Sequence, residues 1–201
     1  MHNFTLGNDY IVKPQYSIQL IDEVLEIIIR PGYTNWFITD ASNSYWAVCI
    51  RPRDEYKAAF ITPHGLYLYL GRGQELKGAP YTYSQFTSLV FGPLPHTKIT
   101  EQIPSIIGTH ANCGFYPFID DYIGGFKDFD VQFKFLHKVY FPRVTFGPVY
   151  LAGQKTRAFY RSLEVVRFIG DAKELRPSVR HRDRVWNWLT PKNRRELEAF
   201  I

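Results

Sequence analysis

Two adjacent carboxylates, Asp120 and Asp121, sit between short aromatic and β-branched runs in the stretch Phe115-Tyr116-Pro117-Phe118-Ile119-Asp120-Asp121-Tyr122-Ile123-Gly124-Gly125-Phe126. That pattern predicts a tight β-hairpin presenting both acids at its turn. Neighbouring carboxylates repel, and a divalent cation relieves the repulsion: magnesium or manganese takes carboxylate oxygens and keeps waters and substrate phosphates for its other positions. An ordinary solvated Asp-Asp turn is the other reading of the same residues. A third acid, Asp40, ends the apolar run Trp36-Phe37-Ile38-Thr39, which reads as a buried strand delivering it. A cap or turn aspartate is the alternative there.

The elements that must position these acids follow from periodicity. Met1 to Gln15 is polar and irregular. Ser17 then precedes Ile18, Leu20, Ile21, Val24, Leu25, Ile28 and Ile29, the three-and-four spacing of an amphipathic helix with Ser17 as N-cap, and Pro31-Gly32 ends it. After Asp40 comes a turn and the apolar segment Tyr45 to Ile50. Lys57 to Leu70 predicts a hairpin turning at Pro63-His64-Gly65, and Gly71-Arg72-Gly73-Gln74 a flexible link with one cation. Ala79-Pro80 opens a helix through Phe91, with Tyr83, Phe86, Leu89 and Val90 on one face, stopped by Gly92 and Pro93. Residues 93–114 read as a loop-like insertion apart from the apolar Ile103 to Ile107. Val131 to Tyr140 has helical spacing, Leu163 to Ile169 reads as a strand, Val185, Trp186 and Trp188 close a short helix, and Thr190-Pro191 caps another running to Ile201. This order predicts an α+β fold rather than a parallel βαβ series.

Composition sets the class. The 201 residues, 45% of them hydrophobic, with 16 Phe, 14 Tyr and 4 Trp, predict one main domain with an aromatic core. The net charge is +5, and from Leu151 onward lie 12 of the 24 Lys and Arg. Such a basic segment, interleaved with Phe159, Tyr160, Trp186 and Trp188, suits a surface that tracks a nucleic-acid backbone, or else a solvated charged face. Cys49 and Cys113 give neither a disulfide framework nor a zinc site, and a reducing intracellular location, nuclear or cytoplasmic, follows as the expectation. No signal peptide opens the chain and no apolar stretch approaches the roughly 20 residues that span a bilayer, so a soluble protein without a membrane partner is expected.

Four blocks in order resemble the reverse transcriptase of gypsy-type LTR retrotransposons, and more distantly that of retroviruses. The first runs from Tyr16-Ser17-Ile18 through Asp40 to Lys57-Ala58-Ala59-Phe60-Ile61-Thr62-Pro63-His64-Gly65-Leu66-Tyr67; it is similar to the family's first aspartate strand and the hairpin after it. The second is Gly78-Ala79-Pro80-Tyr81-Thr82-Tyr83, and the third is Phe118-Ile119-Asp120-Asp121, against the family's aromatic-x-Asp-Asp box. The fourth runs from Leu175-Arg176-Pro177 to Trp188-Leu189-Thr190-Pro191-Lys192-Asn193 and Glu196-Leu197, similar to the segment that starts the thumb. The resemblance implies a polymerase palm, an antiparallel sheet with helices on one face, plus a short helical thumb stub. Residues 1–170 would be palm-like, with 1–15 a remnant of the fingers, and residues 171–201 the basic start of the thumb.

It also implies an RNA-directed DNA polymerase in which two magnesium or manganese ions about 4 Å apart serve nucleotidyl transfer. Asp40 and Asp120 would be shared metal ligands and Asp121 a supporting one. Tyr45 would pack beneath the incoming sugar and disfavour a 2′-hydroxyl, Gln74 would touch nucleotide and template, and Lys155 would protonate pyrophosphate or stand as a solvated lysine. Arg72, Arg180, Arg182 and Arg184 would contact nucleic acid. Partners would be an RNA or DNA primer-template, a deoxynucleoside triphosphate and a protein supplying fingers or thumb. Departures from the pattern are Thr5 for an arginine, Ser44 and Glu75 for glycines, the long insertion 93–114, and the absence of basic fingers residues and of protease, RNase H and integrase segments. They support a second reading: an inactive or domesticated module with this fold that binds nucleic acid or protein.

Overall fold

In chain order the elements are α1 (Thr5–Tyr10), α2 (Ile21–Ile29), β1 (Asn35–Asp40), β2 (Ala59–Thr62), β3 (Gly65–Leu68), α3 (Ala79–Phe91), β4 (Leu94–Pro95), β5 (Gln102–Ile103), β6 (Gly108–Thr109), β7 (Cys113–Phe118) and β8 (Asp121–Phe126). Then come α4 (Phe129–Phe135), a π-helical segment (Leu136–Tyr140), α5 (Phe141–Phe146), β9 (Arg157–Tyr160), β10 (Ser162–Val165), β11 (Phe168–Asp171), β12 (Leu175–Pro177) and α6 (Val179–Trp186). The structure, a computed structural model, describes residues 5–12, 20–29, 32–74, 76–95, 102–147, 149–165 and 167–187. The expectations for Ser17, Pro31, Glu75, Trp188 and the helix after Thr190 lie outside these.

One antiparallel sheet in the order β6-β7-β8-β1-β9 carries the molecule. Because side chains alternate along a strand, β1 buries both faces: Phe37 enters one core, while Trp36 and Ile38 enter the other. The first core stacks Tyr83, Phe91, Phe115, Tyr122, Phe126 and Tyr140 under α3, α4 and α5. The second joins Val24, Leu25 and Ile28 of α2 to Tyr33, Ile123, Leu163 and Val165, and so docks the three-stranded sheet β10-β11-β12. Each such fully buried side chain contributes about 1.5–3 kcal/mol. Gly125 has a packing reason: a Cβ there would stand 2.5 Å from a ring carbon of Tyr33, whose hydroxyl donates to the carbonyl of His110 at 2.8 Å.

The α+β expectation holds, and α3 spans the predicted residues, but several local expectations change. Leu89 is 72% exposed, because the buried stripe of α3 runs through Ala79, Tyr83, Ser84, Thr87, Val90 and Phe91 instead. The apolar segment Tyr45 to Ile50 starts in a 3-10 turn, Ser44–Ala47, and leaves Cys49 exposed. The predicted strand Leu163 to Ile169 is a hairpin, β10 and β11, with Arg167 between them at φ 83°. The helix predicted within 131–140 begins at Phe129, where the Asp128 carboxylate accepts from the Val131 N–H at 2.9 Å, and continues through the π-helical segment into α5. The insertion carries the short strands β4, β5 and β6, and the N-terminal stretch holds α1.

Candidate active site: three acids and a lysine

The sheet register brings the acids together. β1 and β8 pair so that Asp40 stands opposite Asp121, and the Ala41 N–H donates to the Asp120 carbonyl at 2.8 Å. The β7–β8 turn is made by Ile119 and Asp120; Ile119 takes φ 54°, which a β-branched residue adopts only where its surroundings hold it. On the other side of β1, Lys155 ends a 3-10 turn just before β9 and donates from Nζ to Oδ2 of Asp40 at 2.8 Å. The Ala152 N–H donates to the Asp40 carbonyl at 2.8 Å, and the hydroxyls of Thr39 and Thr156 meet at 2.6 Å, so backbone and side chains both fix the lysine's segment to β1.

Charge in this corner is poorly compensated. Burial first, then Asp120 and Asp40, push the Asp121 carboxyl up to about 6. Asp120 is raised too, by burial and by Asp40, with Lys155 pulling the other way. The hydrogen bond to Asp40 raises the exposed Lys155 ammonium. Together these shifts describe three carboxylates held close with one ammonium among them.

A cleft of about 420 Å³ opens here, lined among the described residues by Ile38, Asp40, Asp121, Gln154, Lys155, Arg157, Glu164 and Arg180. Arg157, Gln154 and Glu164 were not singled out from the sequence; the four-residue β9 is too short for a visible alternation, and with it went the basic wall of the cleft. Arg180 lines the same cleft from α6. Arg184, one turn on, lines the adjoining hollow with Glu164, Arg167, Ser178, Arg180 and His181, while Arg182 faces Asp183 at 3.7 Å. The three arginines grouped in the sequence therefore divide between two directions.

Tyr45 stands beside the acids. Burial and then Asp120 raise its hydroxyl, and its ring meets Tyr83 edge-on at 5.7 Å. The Tyr83 and Tyr122 hydroxyls are 2.6 Å apart in the core beneath. Gln74 is exposed on the link after Arg72 and does not line the cleft. Arg72 is not an outward cation: it donates to the Gly78 carbonyl at 3.0 Å and to the Thr82 hydroxyl, and burial lowers its pKa. It fixes the start of α3.

No protein-family model matches the chain. Over 197 residues, 96% of the chain, it is 25% identical to the Transposon Tf2-7 polyprotein of Schizosaccharomyces pombe, of which it spans 13%. The Tf2-3 polyprotein of the same yeast is 26% identical over the same span. Among solved structures, the foamy viral protease-reverse transcriptase in complex with RNA/DNA hybrid superposes with a TM-score of 0.75 at 15% identity, over 98% of this chain and 24% of that one. Its dRH form in complex with double-stranded DNA gives 0.78 at 16%, over 96% and 30%. The fold is that of a reverse transcriptase. Transposon polyproteins are its relatives in sequence, and this chain covers a small part of each. No helix among the described residues of this reverse-transcriptase fold is long and apolar enough to cross a membrane.

Proposed function

We propose that the chain is the palm, with the start of the thumb, of an RNA-directed DNA polymerase from a gypsy-type LTR retrotransposon, acting on a primer-template with deoxynucleoside triphosphates. The observation that carries this reading is the register that sets Asp40 opposite Asp121 and bonds Ala41 to Asp120, so that acids from two separate strands share one end of the sheet. Residues 1–170 form the palm-like part and 171–201 the basic thumb start in this reading.

The donor chemistry fits a hard divalent cation. Burial first, and neighbouring carboxylates after it, raise the Asp120 and Asp121 carboxyls, and magnesium is bound by one or two carboxylates with the rest of its shell from waters and substrate phosphates. Among the described residues no group of three or more His, Cys, Asp or Glu is placed to hold a metal ion by itself, so this reading relies on substrate phosphates and waters to complete the site. Asp40, Asp120 and Asp121 would hold magnesium or manganese, which when bound neutralises developing charge and polarises the phosphate. Tyr45 bounds the space beside Asp120 against a 2′-hydroxyl. Lys155 keeps a proton at Nζ, next to the acids, available to a departing pyrophosphate.

A second reading, a binding module without catalysis, is favoured by the Lys155–Asp40 ion pair, which already neutralises one of the acids. Primer extension on a primed RNA template with magnesium or manganese decides between them, using the chain alone and with fingers supplied in trans. The polymerase reading expects deoxynucleotide incorporation that Asp120→Asn abolishes. A folded, metal-binding protein with no synthesis under either condition would overturn it in favour of the binding module.

A further inference from the structure

Away from the acids, four aromatic rings form a continuous outward ladder. Phe129 and Phe133 stack at 6.3 Å with planes 9° apart, and Phe133 and His137 at 6.0 Å and 4°, one turn per step along α4 into the π-helical segment. Phe159 joins from the sheet edge, 4.6 Å from Phe129. Phe129 and Phe133 remain 55% and 53% exposed. Stacking along one helix is ordinary side-chain packing, but Phe159 is not on that helix. The β1–β9 register slips between Trp36 and Phe37, which face Tyr160 and Ala158, so Phe159 has no partner residue, and it takes φ 65°. A bulge of this kind re-aims a side chain, here onto the ladder. It also spoils the outer edge of β9 for pairing with another strand.

The column beside the rings is Asp130, Lys134 and Lys138, all exposed, with Lys127 close before the helix. Asp130 lies in the first helical turn, where the helix dipole offsets its charge. Exposed rings with cations alongside match a single-stranded nucleic acid, whose bases stack on aromatic faces while its phosphates meet the ammonium groups. A strand-adding peptide is disfavoured by the bulge.

We propose that the Phe129–Phe133–His137 ladder with Phe159 is a stacking platform for single-stranded nucleic acid, separate from the acidic cleft. The inference does not rest on the polymerase reading. The probe is a fluorescein-labelled oligothymidylate of about twelve nucleotides, titrated by anisotropy against the full chain. Phe129→Ala and Phe133→Ala should each weaken binding roughly tenfold, whereas Phe133→Tyr, which keeps the ring, should bind as wild type does. Lys134→Ala/Lys138→Ala should weaken binding and flatten its dependence on salt. Because the two phenylalanines are half exposed, unchanged far-ultraviolet circular dichroism is expected in every variant. Equal affinity of wild type and Phe129→Ala/Phe133→Ala would overturn the proposal, as would binding lost only in Arg180→Ala/Arg184→Ala. Ring variants that change sedimentation but not oligonucleotide affinity would assign the ladder to a second copy of the chain and equally overturn it.

Discussion

At neutral pH the folded chain keeps Asp121 ionised against burial and two neighbouring carboxylates, and its carboxyl titrates at about 6. An unfolded aspartate titrates near 3.9. Between those values the folded state binds a proton that the unfolded state has lost, so this group's contribution to stability falls as pH rises from about 4 to about 6 and then levels. Asp121→Asn should therefore raise the melting temperature at pH 7, change little at pH 4, and flatten the slope between, in melts without divalent metal. Magnesium should raise the wild-type melting temperature, and Asp120→Asn should lose most of that rise; equal shifts would place the metal elsewhere. Tyr45→Ala should admit ribonucleotides into the extended primer, and since the ring is only half buried it should cost less than the 3–5 kcal/mol of a fully buried aromatic, roughly 1–3. A variant that keeps its deoxy preference would make Tyr45 a packing residue only. The acids were legible because side-chain type and local pattern mark them. The ion pair of Lys155 with Asp40 was not, because it joins positions 115 residues apart.

Among the elements, α3 shows most clearly what pattern reading misses. Its limits follow from Ala79-Pro80 and Gly92-Pro93, yet its C-terminal carbonyls are satisfied by Arg143, a buried residue of α5. The guanidinium donates to the carbonyls of Val90, Gly92 and Pro104, tying the end of α3 to the insertion. Counted in the sequence as one more cation, Arg143 gave no sign of this, since its partners are backbone atoms on remote segments. Arg143→Met should destabilise the chain by about 3 kcal/mol in urea unfolding, and Arg143→Lys should recover little of it, because one ammonium cannot reach three carbonyls. The same helix carries Tyr83. Either Tyr83→Phe or Tyr122→Phe alone strands a buried hydroxyl, at about 1–3 kcal/mol, whereas the double variant should cost less than the sum. Additive losses would mean that the two hydroxyls do not depend on each other.

For the whole molecule, the sequence supports an α+β class and the reverse-transcriptase resemblance, and the β7–β8 hairpin is local, but local pattern does not give the strand order β6-β7-β8-β1-β9, because β1 is remote in the chain from both of its neighbours, β8 and β9. Topology also decides which arginines work together. Arg180 and Arg184 share a side of α6 and line the hollow that adjoins the cleft, so Arg180→Ala/Arg184→Ala should lower the salt slope of duplex binding by about 2, and Arg182→Ala by less. Equal effects of all three single variants would mean that the duplex does not follow that side. The placement of β1 between β8 and β9 has a temporal consequence during synthesis. Both strands that flank it, β8 and β9, are made long afterwards, and the lysine that meets Asp40 emerges 115 residues later. At translation rates of about 5–20 residues per second that interval is roughly 6–23 s. Until β8 follows, Trp36 and Phe37 have no sheet to enter, and until β9 and Lys155 follow, the outer side of β1 stays open to pairing with the wrong strand or to a chaperone.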